Sequence, residues 1–145
     1  MIQIYCDAST DLNTRLCAWG YIIKYKNKEY AYSNHRILNT VSSNHGELLA
    51  VVKALGNIKG FKSKSVVVYT DFQPIIDICK KYNSPKSIRH IIKKICNDDK
   101  SLYCCLFKYF SLYKLKIEKI PRKENPAHAV AYRKLQKARA EIKVD

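Results

Sequence analysis

Glycine and proline are scarce, with four of each in 145 residues. That excludes collagen-like repeats and low-complexity linkers. No apolar run approaches the ~20 residues of a membrane-spanning helix. The longest candidate, around Leu102 to Leu112, is interrupted by Lys108. A basic leader is missing as well, because Met1-Ile2-Gln3-Ile4-Tyr5-Cys6 runs straight into the carboxylate of Asp7. No C-x-x-C pair occurs among Cys6, Cys17, Cys79, Cys96, Cys104 and Cys105. A zinc site is therefore not expected, and the thiols read as reduced and mostly buried. These absences lead us to expect an intracellular, cytoplasmic protein with no membrane association.

Carboxylates are also few. Twelve Asp+Glu face 27 Lys+Arg, a net charge of +15. An excess of this size on a small chain favours a polyanionic partner, nucleic acid first and an anionic membrane surface second. What remains is ordinary for a globular protein, 47% hydrophobic and 27% charged. The length suits a single domain, residues 1–145, with no internal repeat or linker.

Hydrophobic patterning gives the element order. Ile2 to Asp7 alternates as a strand, with Ile2, Ile4 and Cys6 on one face. Leu16 to Lys26 reads as a second strand, Lys26-Asn27-Lys28 as a turn, and Glu29 to His35 as a third strand. From Ser43-Asn44 the period becomes helical through Leu48, Leu49, Val52 and Leu55, with Gly56 and Gly60 at its end. Ser65 to Asp71 is an almost wholly apolar strand, the signature of burial on both faces. Helices are expected at Gln73 to Lys81, Ser87 to Cys96 and Leu102 to Phe110, with Asn97-Asp98-Asp99 as a break. Lys114 to Ile120 is the last strand, Pro121 to Asn125 a loop, and Pro126 to Ala140 a basic helix. The order predicts an α/β fold, a mixed sheet flanked by helices.

The rare acids stand in telling places. Asp7 and Asp71 each end a strand, and Glu47 lies in the first turn of the first long helix. Singly, each suits a cap or a turn. Brought together they would repel unless protonated or neutralised by a cation. A hard divalent ion is the usual answer, and an acidic metal pocket in a basic protein suits phosphodiester chemistry.

These segments resemble the ribonuclease H type 1 family over most of the chain. The resemblance rests on Tyr5-Cys6-Asp7-Ala8-Ser9 and on Ser42-Ser43-Asn44-His45-Gly46-Glu47-Leu48-Leu49-Ala50. It continues in Thr70-Asp71-Phe72-Gln73 and in Ile120 to Ala131, around Asn125-Pro126-Ala127-His128. It implies a five-stranded mixed sheet flanked by helices, and endonucleolytic cleavage of RNA in an RNA/DNA hybrid leaving 5′-phosphate ends. It further implies two Mg²⁺ or Mn²⁺ ions, with Asp7, Glu47 and Asp71 as their ligands.

The departures are specific. The fourth carboxylate of the family falls on His128, expected here to complete the catalytic and metal site with a shifted metal preference, since imidazole suits Mn²⁺ better than Mg²⁺. Ala8 replaces a glycine and Phe72 a serine. The form resembled is compact, without a hybrid-binding domain and without the His-containing loop before the last helix.

Ser9, Ser43, Asn44 and Gln73 match positions that contact substrate in the family, and Arg122 and Asn125 are expected to bind substrate with them. A hybrid is read by shape and 2′-hydroxyls, and its phosphates by cations with salt-dependent affinity. Two basic stretches qualify for that second task, Arg89 to Lys94 and Arg133-Lys134 with Lys137 and Arg139. Tyr103, Tyr109 and Tyr113 are expected in the core. The protein is expected to be a monomer. Two alternatives stay open: a nucleic-acid-binding module whose catalysis is impaired at His128, and another nuclease of the same superfold, a resolvase or an exonuclease.

Overall fold

A computed structural model describes residues 1–38, 43–80, 93 and 97–143. Its sheet contains β1 (Ile2–Asp11), β2 (Leu16–Tyr25), β3 (Lys28–Ile37), β4 (Ser65–Thr70) and β5 (Lys114–Lys119). The strand order is β3-β2-β1-β4-β5. The first three strands form an antiparallel meander, while β4 and β5 run parallel to β1. The sheet is therefore five-stranded and mixed, as expected.

The turn between β2 and β3 shows how local chemistry sets register. Lys26 and Asn27 both have positive φ, 49° and 62°. They connect the paired residues Tyr25 and Lys28, as in the two-residue hairpin whose twist matches that of its strands. In β4, Val66, Val67 and Val68 are all buried, because the strand is covered on both faces.

Four described helices flank the sheet: α1 (Ser43–Gly56), α2 (Gln73–Lys80), α3 (Asn97–Leu112) and α4 (Ala127–Lys143). α1 packs on β1, β2 and α3. The main core lies between them, where Ile4, Cys6, Val68, Leu48, Leu55 and Leu106 are inaccessible or nearly so. Each such aliphatic side chain contributes about 1.5–3 kcal/mol on burial. α4 covers the opposite face through Leu135 and Ala138 on Leu16 and Ala18.

Several positions differ from expectation, three of them by more than a residue or two or at the site itself. β1 runs four residues past Asp7, so that acid sits within the strand, not at its end. Pairing with β2 continues as far as Asp11↔Leu16, which holds the extension in the sheet. The helix expected from Leu102 begins at Asn97, so Asn97-Asp98-Asp99 opens α3, in keeping with the preference of Asn and Asp for helix starts. Glu47 is the fifth residue of α1, one place beyond its first turn. The helix expected at Ser87 to Cys96 and the basic stretch Arg89 to Lys94 lie outside the described residues, except for Lys93. Tyr103 is buried, and Tyr109 and Tyr113 pack against the core, as expected. Cys6 and Cys17 are buried, Cys79 and Cys105 half-buried, and Cys104 exposed; all are free thiols.

Candidate active site

Asp7, Glu47 and Asp71 converge, each offering a carboxylate oxygen within 4.8 Å of the others'. Two close approaches of backbone make this possible. At Gly46 a Cβ would lie 2.5 Å from Cys17 Sγ and 3.2 Å from Ala8 Cβ. Glycine there lets the start of α1 rest directly on β1 and β2, and Glu47 follows it inward. At Gly20, the β2 partner of Asp7, a Cβ would lie 2.8 Å from the Ala131 backbone nitrogen. α4 thus descends onto the sheet beside Asp7. Neither glycine stands out in the hydrophobic pattern. A lone glycine amid the apolar residues of a strand or helix is the signal that marks such contacts.

Asn125 anchors α4. Its Nδ2 donates to the Cys6 carbonyl at 2.8 Å, and its Oδ1 accepts from the Ala127 backbone N–H at 3.1 Å. The His128 N–H bonds the Asn125 carbonyl at 3.1 Å. Asn125 is only 5% exposed, so its amide is spent on the protein. Expected as a substrate contact, it instead pins the helix start to the strand residue before Asp7. His128 then reaches Asp7, with Nδ1 2.7 Å from Oδ2. Three turns further along α4, Arg139 Nε donates to Asp11 Oδ2 at 2.7 Å. Arg139 is therefore committed to β1 and holds the Asp11 carboxyl below its usual range.

The acids sit in an unfavourable environment. Asp7 is fully buried, and its Oδ1 and Glu47 Oε2 have no hydrogen-bond partner among the described residues. Burial first, then repulsion from Asp7 and Asp71, pushes the Glu47 carboxyl up to about 9. Asp71 is raised by burial and then by Asp7, against the lowering field of Arg122. Two orphaned carboxylate oxygens in an all-oxygen cluster fit a hard divalent cation, which would satisfy both and relieve the repulsion.

The other expected residues fall as follows. Arg122 is exposed on the 3-10 turn Arg122–Glu124, and its charge reaches both Glu47 and Asp71. Ser9 is two residues beyond Asp7 on β1 and half-buried. Gln73 starts α2, where its Oε1 accepts from Lys119 Nζ at 3.0 Å and its Nε2 donates to Asp77 at 2.8 Å. Ser43 and Asn44 begin α1; their side chains lie outside the described set.

A mixed sheet in this strand order, with three acids delivered by β1, α1 and the end of β4, defines a ribonuclease H-like α/β protein with an acidic cluster. The RNase H family model matches residues 1–129. The chain belongs to the RNase H family. Among solved structures it is similar to RNase H1 from the halophilic archaeon Halobacterium salinarum NRC-1, with TM-score 0.70, 16% identity, and 94% and 98% of the two chains covered. It is also similar to LC11-RNase H1, solved in complex with an RNA/DNA hybrid, with TM-score 0.69, 19% identity, and 95% and 99% covered. LC11-RNase H1 was isolated from compost by a metagenomic approach. LC9-RNase H1, described as a type 1 RNase H with the type 2 active-site motif, matches with TM-score 0.67, 14% identity, and 91% and 68% covered. No curated protein sequence matches the chain.

Proposed function

We propose that this protein is a divalent-cation-dependent endonuclease that hydrolyses the RNA strand of RNA/DNA hybrids, leaving 5′-phosphate and 3′-hydroxyl ends. The observation that carries the reading is the cluster of Asp7, Glu47 and Asp71 with two buried, unpartnered oxygens in a chain of the RNase H family. These three carboxylates would hold two Mg²⁺ or Mn²⁺ ions. When bound, such ions supply positive charge that acidifies water and stabilises the leaving oxygen of a phosphodiester.

The protein's own groups set the rest. Ser9 and Gln73 border the acids and offer polar contacts to ribose edges. Arg122 presents a cation where a phosphate would approach. His128 takes the place of a fourth carboxylate, bonded to Asp7 Oδ2 through Nδ1, and we assign it the completion of the site. That same bond supports a second reading. An imidazole engaged with Asp7 competes with a cation for the oxygen, which would leave a hybrid-binding module with impaired catalysis.

The test is cleavage of an end-labelled RNA/DNA hybrid with Mg²⁺ and Mn²⁺ in separate reactions. Double-stranded DNA and RNA serve as controls and Asp71→Asn as the blank. Internal cuts confined to the RNA strand, absent from the blank, are expected. Hybrid binding with no cutting in either metal would select the second reading. Shortening of single strands from an end, or a preference for branched DNA, would select another nuclease class.

A further inference from the structure

Beside the acidic cluster, α4 and β3 enclose a groove of about 310 Å³ lined by Val130, Arg133, Lys134 and Lys137 from the helix and by Tyr32 and Ser33 from the strand. The four helix residues are spaced i, i+3, i+4, i+7, one stripe on one face. Arg133 and Lys137 are exposed and Lys134 is half-buried. None of the three cations has a carboxylate partner among the described residues. Like charges at i, i+3 and i, i+4 destabilise a helix by a few tenths of a kcal/mol per pair. A bound polyanion would remove that cost.

The groove is placed to continue the active site. Asp7 pairs with Gly20, and Gly20 pairs with Ser33. Ser33 therefore lies two strand spacings, roughly 10 Å, from Asp7 on the same sheet face. Val130, which a Cβ on Gly20 would strike, forms the groove's near end. From His128 to Lys137 the helix rises roughly 13.5 Å, about four nucleotides at 3.4 Å per strand.

We propose that this α4–β3 groove binds the phosphodiester backbone of the nucleic acid several nucleotides from the cleavage point. The proposal rests on the nuclease reading for its ligand. Arg133, Lys134 and Lys137 act as the phosphate contacts, and Ser33 and Tyr32 form the opposite wall. Arg139, the next cation on the helix, takes no part because it is bound to Asp11.

The experiment compares the unaltered chain with the triple variant Arg133→Ala/Lys134→Ala/Lys137→Ala. A control of equal charge loss is Lys59→Ala/Lys62→Ala/Lys64→Ala, whose exposed side chains precede β4 and so stand at the opposite end of that strand from Asp71. Affinity for a labelled hybrid of about 20 base pairs is read by anisotropy over a salt series without divalent metal. KM and kcat are read with metal. The groove variant is expected to bind at least tenfold more weakly, with a salt slope reduced by about 2–3, the value for three lost phosphate contacts. Its KM should rise with kcat retained, while the control moves much less. Equal losses in the two variants, or no loss in the groove variant, would overturn the proposal and leave the stripe to an acidic protein or to solvent. If no chain cleaves hybrid, the nuclease reading fails separately, because the anisotropy comparison still decides the groove.

Discussion

Glu47 holds its proton more tightly in the folded chain than an exposed glutamate does, at about 9 against 4.5. The folded state therefore binds more protons than the unfolded state between those values, and stability falls as pH rises through that window. In metal-free buffer, Glu47→Gln removes this dependence. It should be the more stable protein at pH 8 by about 1–3 kcal/mol, with little difference at pH 4. Urea unfolding of both proteins across the range checks this, and parallel curves would contradict it. At His128 the readout is metal choice. Restoring a carboxylate with His128→Asp should raise the Mg²⁺ rate at least tenfold relative to the Mn²⁺ rate, since imidazole is the poorer Mg²⁺ ligand. An unchanged ratio would argue against His128 as a ligand. At this scale the sequence was informative where a residue type contradicts its surroundings, as with acids amid the apolar residues of β1, α1 and β4. It was uninformative for Asn125, whose amide suits substrate and helix capping equally; only the Cys6 carbonyl 119 residues away decides between them.

The elements matter because two of them must approach the sheet closely. Gly46→Ala places a Cβ 2.5 Å from Cys17 Sγ, so α1 must shift and carry Glu47 with it. A loss of about 1–3 kcal/mol is expected, together with a fall in kcat at saturating metal. Adding Cys17→Ala removes the nearest obstacle and should recover part of both losses. A double variant no better than the single one would show that the clash lies elsewhere. At the start of α4, Asn125→Ala deletes two buried hydrogen bonds and leaves the Cys6 carbonyl unpaired. We expect a loss of about 2–3 kcal/mol and a kcat effect through His128; KM for hybrid should change little. Strand and helix positions were largely legible, because alternation and helical spacing dominate β1, β2, α1 and β4. Boundaries were less so. The extension of β1 to Asp11 depends on its pairing with Leu16 and on the Arg139 clasp, neither of which leaves a local trace.

On the scale of the whole molecule, a net charge of +15 surrounds a pocket of three acids, and the two act oppositely on a small cation. The general field repels it, whereas the orphaned oxygens of Asp7 and Glu47 attract it. The excess of Lys and Arg favours a polyanionic partner, but composition is blind to such a local inversion of sign. Only the long-range assembly of β1, α1 and β4 creates it. Stability therefore offers a test that is independent of catalysis. A cation that binds the native and not the unfolded chain stabilises by about 2.7 kcal/mol at one hundred times its Kd. For a chain of this length that is roughly 5–10 °C in Tm. Mg²⁺ or Mn²⁺ should give such a rise at constant ionic strength, a condition that matters because any added salt also screens the self-repulsion of the positive charges. Asp71→Asn should start from a higher metal-free Tm, having lost one repelling carboxylate, and respond much less to metal. A wild-type Tm unmoved by either ion would mean that the cluster holds protons instead of metal. Equal rises in wild type and variant would locate the cation elsewhere.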